Sequence, residues 1–374
     1  MKKNLYFEAT IFRDWSVAYC QMAQISAVKE FKKQFGWSYS DLLFEWDGKN
    51  ETLYRANEEH IHGMYNFVTN KIKNDINFIS KISISLLKDI KNYQILLENW
   101  LKLDFNDYDN EFVSKIFLTL NKEYIPLLPR FLIIMYFPQQ LEQHYQIYKA
   151  QYQKENDICI NTRAQVDKIL APLTEELLRK IGEYSLKITN IDNKKQFGRF
   201  LTIKEIENLL SNNYLKKEIS LYDELLKKRS KHFLIADGDI NFLSIRDYLK
   251  NKSWEIVEHK VIDNAKYIKG KSTIEFLNNI IGKVKIVQNK TELFKIEEGD
   301  IIVAPMTTPE YALVYKKIIA IITDEGGITC HAAIISRELK IPAIVGTKVA
   351  TKIFKDNDIV EINTKTGEVK LSEK

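Results

Sequence analysis

The chain has 374 residues, enough for two or three domains with cores of their own. Its 45% hydrophobic and 28% charged content is ordinary for a globular protein, and a net charge of +5, from 55 basic and 50 acidic side chains, is too small and dispersed to argue for a nucleic-acid partner. Cys20, Cys159 and Cys330 are too few and too scattered for a metal cluster or a disulfide framework and suit a reducing compartment. The strongest apolar run, residues 131–137, is far too short to span a bilayer, and the N-terminus lacks a signal-peptide core, so a cytoplasmic protein without a membrane partner is expected.

In chain order, residues 16–35 read as helical, and Gly36 turns the chain into a segment ending near Trp46. Asp47-Gly48 is a hairpin signal, with Glu51-Thr52-Leu53-Tyr54 as the returning strand. Aromatic residues are dense here, among them Trp15, Tyr19, Phe31, Phe44 and Trp46. Their default place is a core; a small-molecule cleft is the alternative. Residues 60–155 read as several helices, with Pro129 opening a new one inside the apolar stretch punctuated by Pro126 and Pro138. His60 and His62 are two apart, share no helix face and make a poor metal pair. Residues 156–232 are again helical. Pro172 opens a helix with Leu177, Ile181 and Tyr184 on one stripe, and Thr202 with Glu205 forms a capping box. Ala236-Asp237-Gly238-Asp239 is a turn, without the spacing of a calcium loop. Residues 1–250 are thus mainly helical, and residues 251–271, where Asn, Lys and Gly270 are frequent, form a hinge.

From about residue 265 the pattern becomes α/β. Residues 282–287 make an early strand, Thr308 caps a helix that starts at Pro309 and runs to about Lys316, and the Ile-rich residues 317–323 make a buried strand. Gly326-Gly327 is a turn that lets backbone approach closely. Thr329 caps a helix running to about Leu339, with Ala332, Ile335 and Leu339 inward, and a further strand follows Pro342. His331 therefore lies in the first turn of a helix, beside a glycine turn. Unpaired amides and the positive end of the helix dipole favour an anion there, and neutral imidazole is a competent nucleophile. A phosphoryl group on His331 would carry about two negative charges. The amides of Gly326, Gly327 and Thr329 and the Thr329 hydroxyl are placed to cradle it. On these residues alone, a histidine capping an ordinary turn is the competing reading. No metal ligands are assigned.

The residues from Thr323-Asp324-Glu325-Gly326-Gly327-Ile328-Thr329-Cys330-His331-Ala332-Ala333 through Ile334-Ile335-Ser336-Arg337 to Gly346-Thr347 resemble the phosphohistidine signature of phosphoenolpyruvate-utilising enzymes, in the version found in phosphoenolpyruvate synthase. Residues 298–309 resemble the family's opening strand and turn, and residues 358–362 and 367–369 its closing hairpin. One departure is Ile328, where the synthases usually carry Arg. The resemblance, over about residues 265–374, implies a swivelling domain whose histidine is phosphorylated at one active site and discharged at another. It makes Cys330 a packing residue and leaves Arg337 either to reach the phosphate or to pair with an acid such as Asp324. Residues 200–206 and 225–233 are similar to short stretches in rifampicin phosphotransferase-type proteins, which implies kinship with their acceptor-binding region; residues before 195 carry no such resemblance, and the helical region 1–250 as a whole is expected to bind the acceptor or a partner.

Such enzymes need a nucleotide-binding domain, yet no glycine-rich phosphate loop is visible in the first 265 residues, and the chain holds only 13 glycines. The expectation is a mainly α N-terminal region plus a C-terminal α/β swivelling phosphohistidine domain, acting as an incomplete dikinase-like phosphotransferase. A separate ATP-grasp-like subunit would bind ATP and Mg2+, with phosphoenolpyruvate a less favoured donor, and the acceptor would be a small molecule or a protein. The chain alone would bind no cofactor. The alternative is a phosphocarrier or regulatory module that docks protein partners.

Overall fold

The computed structural model describes residues 5–372 except 14, 49–50, 57, 144–150, 190, 192–193, 212–215, 258–266, 289 and 328–329. The chain divides into two compact units, one built mainly from Arg13–Ile256 and the other mainly from Val257–Lys374.

The first unit is mainly helical. In the helix Phe78–Leu101, Ile79, Ile82, Leu86, Ile90, Tyr93 and Leu97 recur every three or four residues and are all buried. Polar groups on this face are matched: Ser83 pairs with Thr162 at 2.6 Å, and Tyr93 with Thr174 at 2.7 Å. The next helix, Asn110–Gln143, runs through Pro126, Pro129 and Pro138, so Pro129 does not open a new helix. Proline at 129 withholds the N–H that would bond the Ile125 carbonyl. The Ser26 hydroxyl donates to that carbonyl instead, at 2.7 Å. The helix expected from Pro172 starts earlier, as Leu170–Ser185. The Thr202–Glu205 capping box is present in both directions. Tyr19, Phe31, Phe44 and Trp46 are buried, as core residues are.

The unit also holds a six-stranded sheet, in the order β5-β4-β2-β3-β1-β6. Its strands are β1 (Tyr6–Arg13), β2 (Leu42–Trp46), β3 (Glu51–Ala56), β4 (Phe233–Ala236), β5 (Asp239–Asn241) and β6 (Glu255–Ile256). The β2–β3 pair is the hairpin signalled by Asp47-Gly48, and β4–β5 is a hairpin over Asp237-Gly238. Asp237 bonds Lys252 and Tyr248, each at 2.9 Å.

The second unit is an α/β fold around an eight-stranded sheet, in the order β7-β14-β13-β9-β10-β11-β12-β8. Its strands are β7 (Tyr267–Lys269), β8 (Lys271–Ser272), β9 (Ile280–Ile286), β10 (Asp300–Ala304), β11 (Ile318–Thr323), β12 (Ala343–Val345), β13 (Ile359–Asn363) and β14 (Glu368–Leu371). β9 through β12 are parallel, and β13, β14, β7 and β8 join antiparallel at the edges. Both faces of the parallel strands are covered. Ile302, Ala304 and Ile321 enter one core with Val314, Tyr315 and Ala332, while Ile301, Val303, Ala320 and Ile322 enter another with Phe354 and Val360. That double burial is why these strands read as unbroken apolar runs. The helix expected at Pro309 is a short 3-10 turn, Pro309–Leu313. The segment expected to be a hinge contains β6 and β7; residues 258–266 within it lie outside the described residues.

Candidate functional site

β10, β11 and β12 run parallel, so the loops after them leave from one edge of the sheet. In open α/β sheets this carboxyl edge is where ligands bind. Thr307, Asp324 and Thr347 lie within three residues of those three strand ends.

The loop after β11 is tied on both sides. The amides of Asp324 and Glu325 donate to the carbonyls of Ala304 and Pro305, at 3.1 and 2.9 Å, which fixes it to the loop after β10. The amides of Thr347 and Lys348 donate to the carbonyls of Thr323 and Asp324, at 3.0 and 2.9 Å, which fixes it to the loop after β12. Between these anchors Gly326 has φ +110°, and a Cβ there would lie 2.7 Å from the Cys330 sulfur, so only glycine fits. Gly327 is buried, and its carbonyl accepts the Cys330 amide at 3.0 Å.

His331 is the first residue of the helix His331–Leu339. The N-cap is Cys330, one residue later than the Thr329 cap expected from the sequence, and the Cys330 side chain makes no capping bond. Thr329, like Ile328, lies outside the described residues. Lys340 ends the helix in the left-handed conformation, at φ 55°. Ala332, Ala333 and Ser336 are buried, and Ile335 packs on the core with Cys330. Leu339 is not inward but 49% exposed. Gly326, Gly327 and His331 are therefore brought together. Arg337 is exposed in the last turn, where its charge complements the negative end of the dipole. It does not pair with Asp324, whose carboxylate is taken by Thr347 and Thr351.

One residue that the motif did not point to completes the site. Thr307 is 2% exposed, and its hydroxyl lies 3.0 Å from His331 Nδ1. When Nδ1 carries the ring proton and donates it to Thr307, the lone pair resides on Nε2. The hint available beforehand was only that residues 298–309 flank the signature.

Residues 296–367 match the model of the PEP-utilising enzyme, mobile domain. Beyond the domain, a probable phosphoenolpyruvate synthase of Archaeoglobus fulgidus is 38% identical over 197 residues, spanning 50% of this chain and 26% of that protein. Another, from Methanothermobacter thermautotrophicus, is 36% identical over 198 residues, spanning 50% and 28%. The phosphoenolpyruvate synthase of Escherichia coli is 46% identical over 87 residues, spanning 23% of this chain and 11% of its own length. The chain thus covers little more than a quarter of the length of these first two relatives, and likeness to them extends past residues 296–367. No helix among the described residues is long and apolar enough to cross a membrane.

Proposed function

We propose that this chain is a phosphotransferase component in which His331 carries a phosphoryl group between two sites. The observation that supports it is the imidazole at a helix N-terminus with Nδ1 held 3.0 Å from Thr307, which favours Nε2 as the nucleophile. In the loading step the Nε2 lone pair forms a bond to a phosphorus of the donor, and the bond from that phosphorus to its bridging oxygen breaks, its electrons leaving with the rest of the donor. In the discharge step an acceptor hydroxyl oxygen forms a bond to phosphorus and gives up its proton to solvent water, while the Nε2–P bond breaks and Nε2 recovers its lone pair. The donor in this reading is ATP with Mg2+, bound by a nucleotide-binding, ATP-grasp-like unit outside these 374 residues. Phosphoenolpyruvate is the less favoured donor. The acceptor, a small molecule or a protein, is held by the helical unit. One histidine cannot lie in both sites at once, so the unit that bears it moves on residues 251–271.

The test needs no partner. Potassium phosphoramidate phosphorylates histidine directly, and mass spectrometry distinguishes the six histidines of the chain. Acid-labile, base-stable label should form on His331 and vanish in His331→Ala. If the wild-type protein takes label on its other histidines and none on His331, the reading fails.

A further inference from the structure

We infer that Asp324 is a positioning residue for His331: its buried carboxylate clamps the loop after β12 against the glycine turn and so sets the turn from which His331 projects. This rests on the phosphoacceptor reading of His331. Asp324 is 5% exposed. Its Oδ1 accepts from the Thr347 hydroxyl at 3.1 Å and from the Thr351 amide at 3.2 Å, and its Oδ2 accepts from the Thr351 hydroxyl. Its backbone N–H and C=O reach Ala304 and Lys348. One residue thereby joins the ends of three parallel strands.

These side-chain partners are two hydroxyls and an amide, and burial pushes the Asp324 carboxyl above its ordinary range. Burying a carboxylate is costly, and an apolar residue would fill the space at less cost. What it would not do is fix three donors of one short segment at one point. That segment packs directly on the turn. Gly346, at φ +74°, lies so close that a Cβ there would stand 2.7 Å from the Gly326 carbonyl oxygen. A shift of the 346–351 segment is therefore passed to Gly326, to the Gly327 carbonyl that receives the Cys330 amide, and to His331.

The test is phosphoramidate labelling of the full chain, read as the ratio of label on His331 to label on exposed His62 of the same molecule. Asp324→Ala should lower that ratio roughly tenfold or more, as small misplacements of a reacting group do. Thr351→Val, which leaves the carboxylate in place, should lower it by less, and the double variant should be no worse than Asp324→Ala, because both changes break one contact. The share of label on Nδ1 should rise as the Thr307 bond loosens. An unchanged ratio in Thr351→Val and Asp324→Ala, or additive losses in the double variant, would overturn the inference. Should Asp324→Ala lose its circular-dichroism signature of folding, Thr351→Val decides alone. If wild-type His331 takes no label, it is the phosphoacceptor reading that fails. The clamp is then judged by the 15N shifts of the His331 ring, which must move in Thr351→Val.

Discussion

Thr307 Oγ1 and His331 Nδ1 lie 3.0 Å apart, although 24 positions separate them in the chain. When Nδ1 donates to Thr307, the contact leaves the ring's lone pair on Nε2. Thr307→Val keeps the shape and removes the hydroxyl, so labelling at Nε2 should slow about fivefold, the rate equivalent of one hydrogen bond of about 1 kcal/mol. Thr307→Ser should retain most of the rate. 31P NMR separates the two phosphohistidine isomers; an unaltered rate and isomer ratio in Thr307→Val would remove the residue from the site.

Gly326 should not tolerate a side chain. With φ at +110° and the Cys330 sulfur 2.7 Å from a Cβ, Gly326→Ala should cost roughly 1–3 kcal/mol, measured by chemical denaturation. Adding Cys330→Ala relieves the clash and leaves the backbone strain, so it should recover part of the loss. Full stability in the single variant would show that the turn has another way to close.

Arg337 should matter little to the chemistry. It is exposed at the far end of a nine-residue helix from His331. Arg337→Ala should leave the labelling rate of His331 within about twofold and cost about 0.3–1 kcal/mol through the helix dipole. A loss of labelling comparable to that of Thr307→Val would restore it as a phosphate ligand.

What was legible beforehand was local. The glycine turn, the end of the His331 helix, the buried strand at 318–323 and the closing hairpin each announce themselves within a dozen residues. Thr307 did not, because only the parallel pairing of β10 with β11 brings its loop beside the helix. Asp324 stood in the signature, but its partners Thr347 and Thr351 come from beyond the next strand, and charge alone suggested Arg337. In the first unit, pattern reading found the Asp47-Gly48 hairpin and the turn at Asp237-Gly238, but not the second hairpin around that turn or the sheet that joins them. β1 pairs with β6 through Tyr6 and Glu255, a register no local signal encodes. The prolines of Asn110–Gln143 misled for the same reason: the hydroxyl that serves the Ile125 carbonyl belongs to Ser26.

That hydroxyl gives a direct test of how the long helix tolerates proline. Ser26→Ala leaves the Ile125 carbonyl, in a helix that already lacks the Pro129 donor, without its 2.7 Å partner. The expected cost is about 1–3 kcal/mol in denaturant titrations. A Ser26→Ala variant as stable as the wild type would mean that the carbonyl finds another donor.

Asp41 should make the fold sensitive to pH. Burial pushes its carboxyl up to about 6, against the hydrogen bonds from Gln24 and the Leu42 amide. The folded state thus holds this proton more tightly than the unfolded chain does. The stabilising contribution is present below the ordinary carboxylate pKa and is lost as pH rises through about 6. Between pH 4 and pH 7 the stability of the wild type relative to Asp41→Asn should fall by at most about 3 kcal/mol. A difference independent of pH would contradict the shift.

The three-strand construction of the site separates the motif from the machine. A peptide bearing residues 323–347 would contain His331, both glycines and Asp324, yet it would lack Thr307, Thr351 and the Ala304 and Pro305 carbonyls that hold the turn. Grafted onto another loop, the signature would be legible to a reader of sequences and inert to a phosphoryl donor. The smallest transplantable piece is a folded sheet from β9 through the helix Ala350–Ile353, and what such a graft inherits is an arrangement of strand ends.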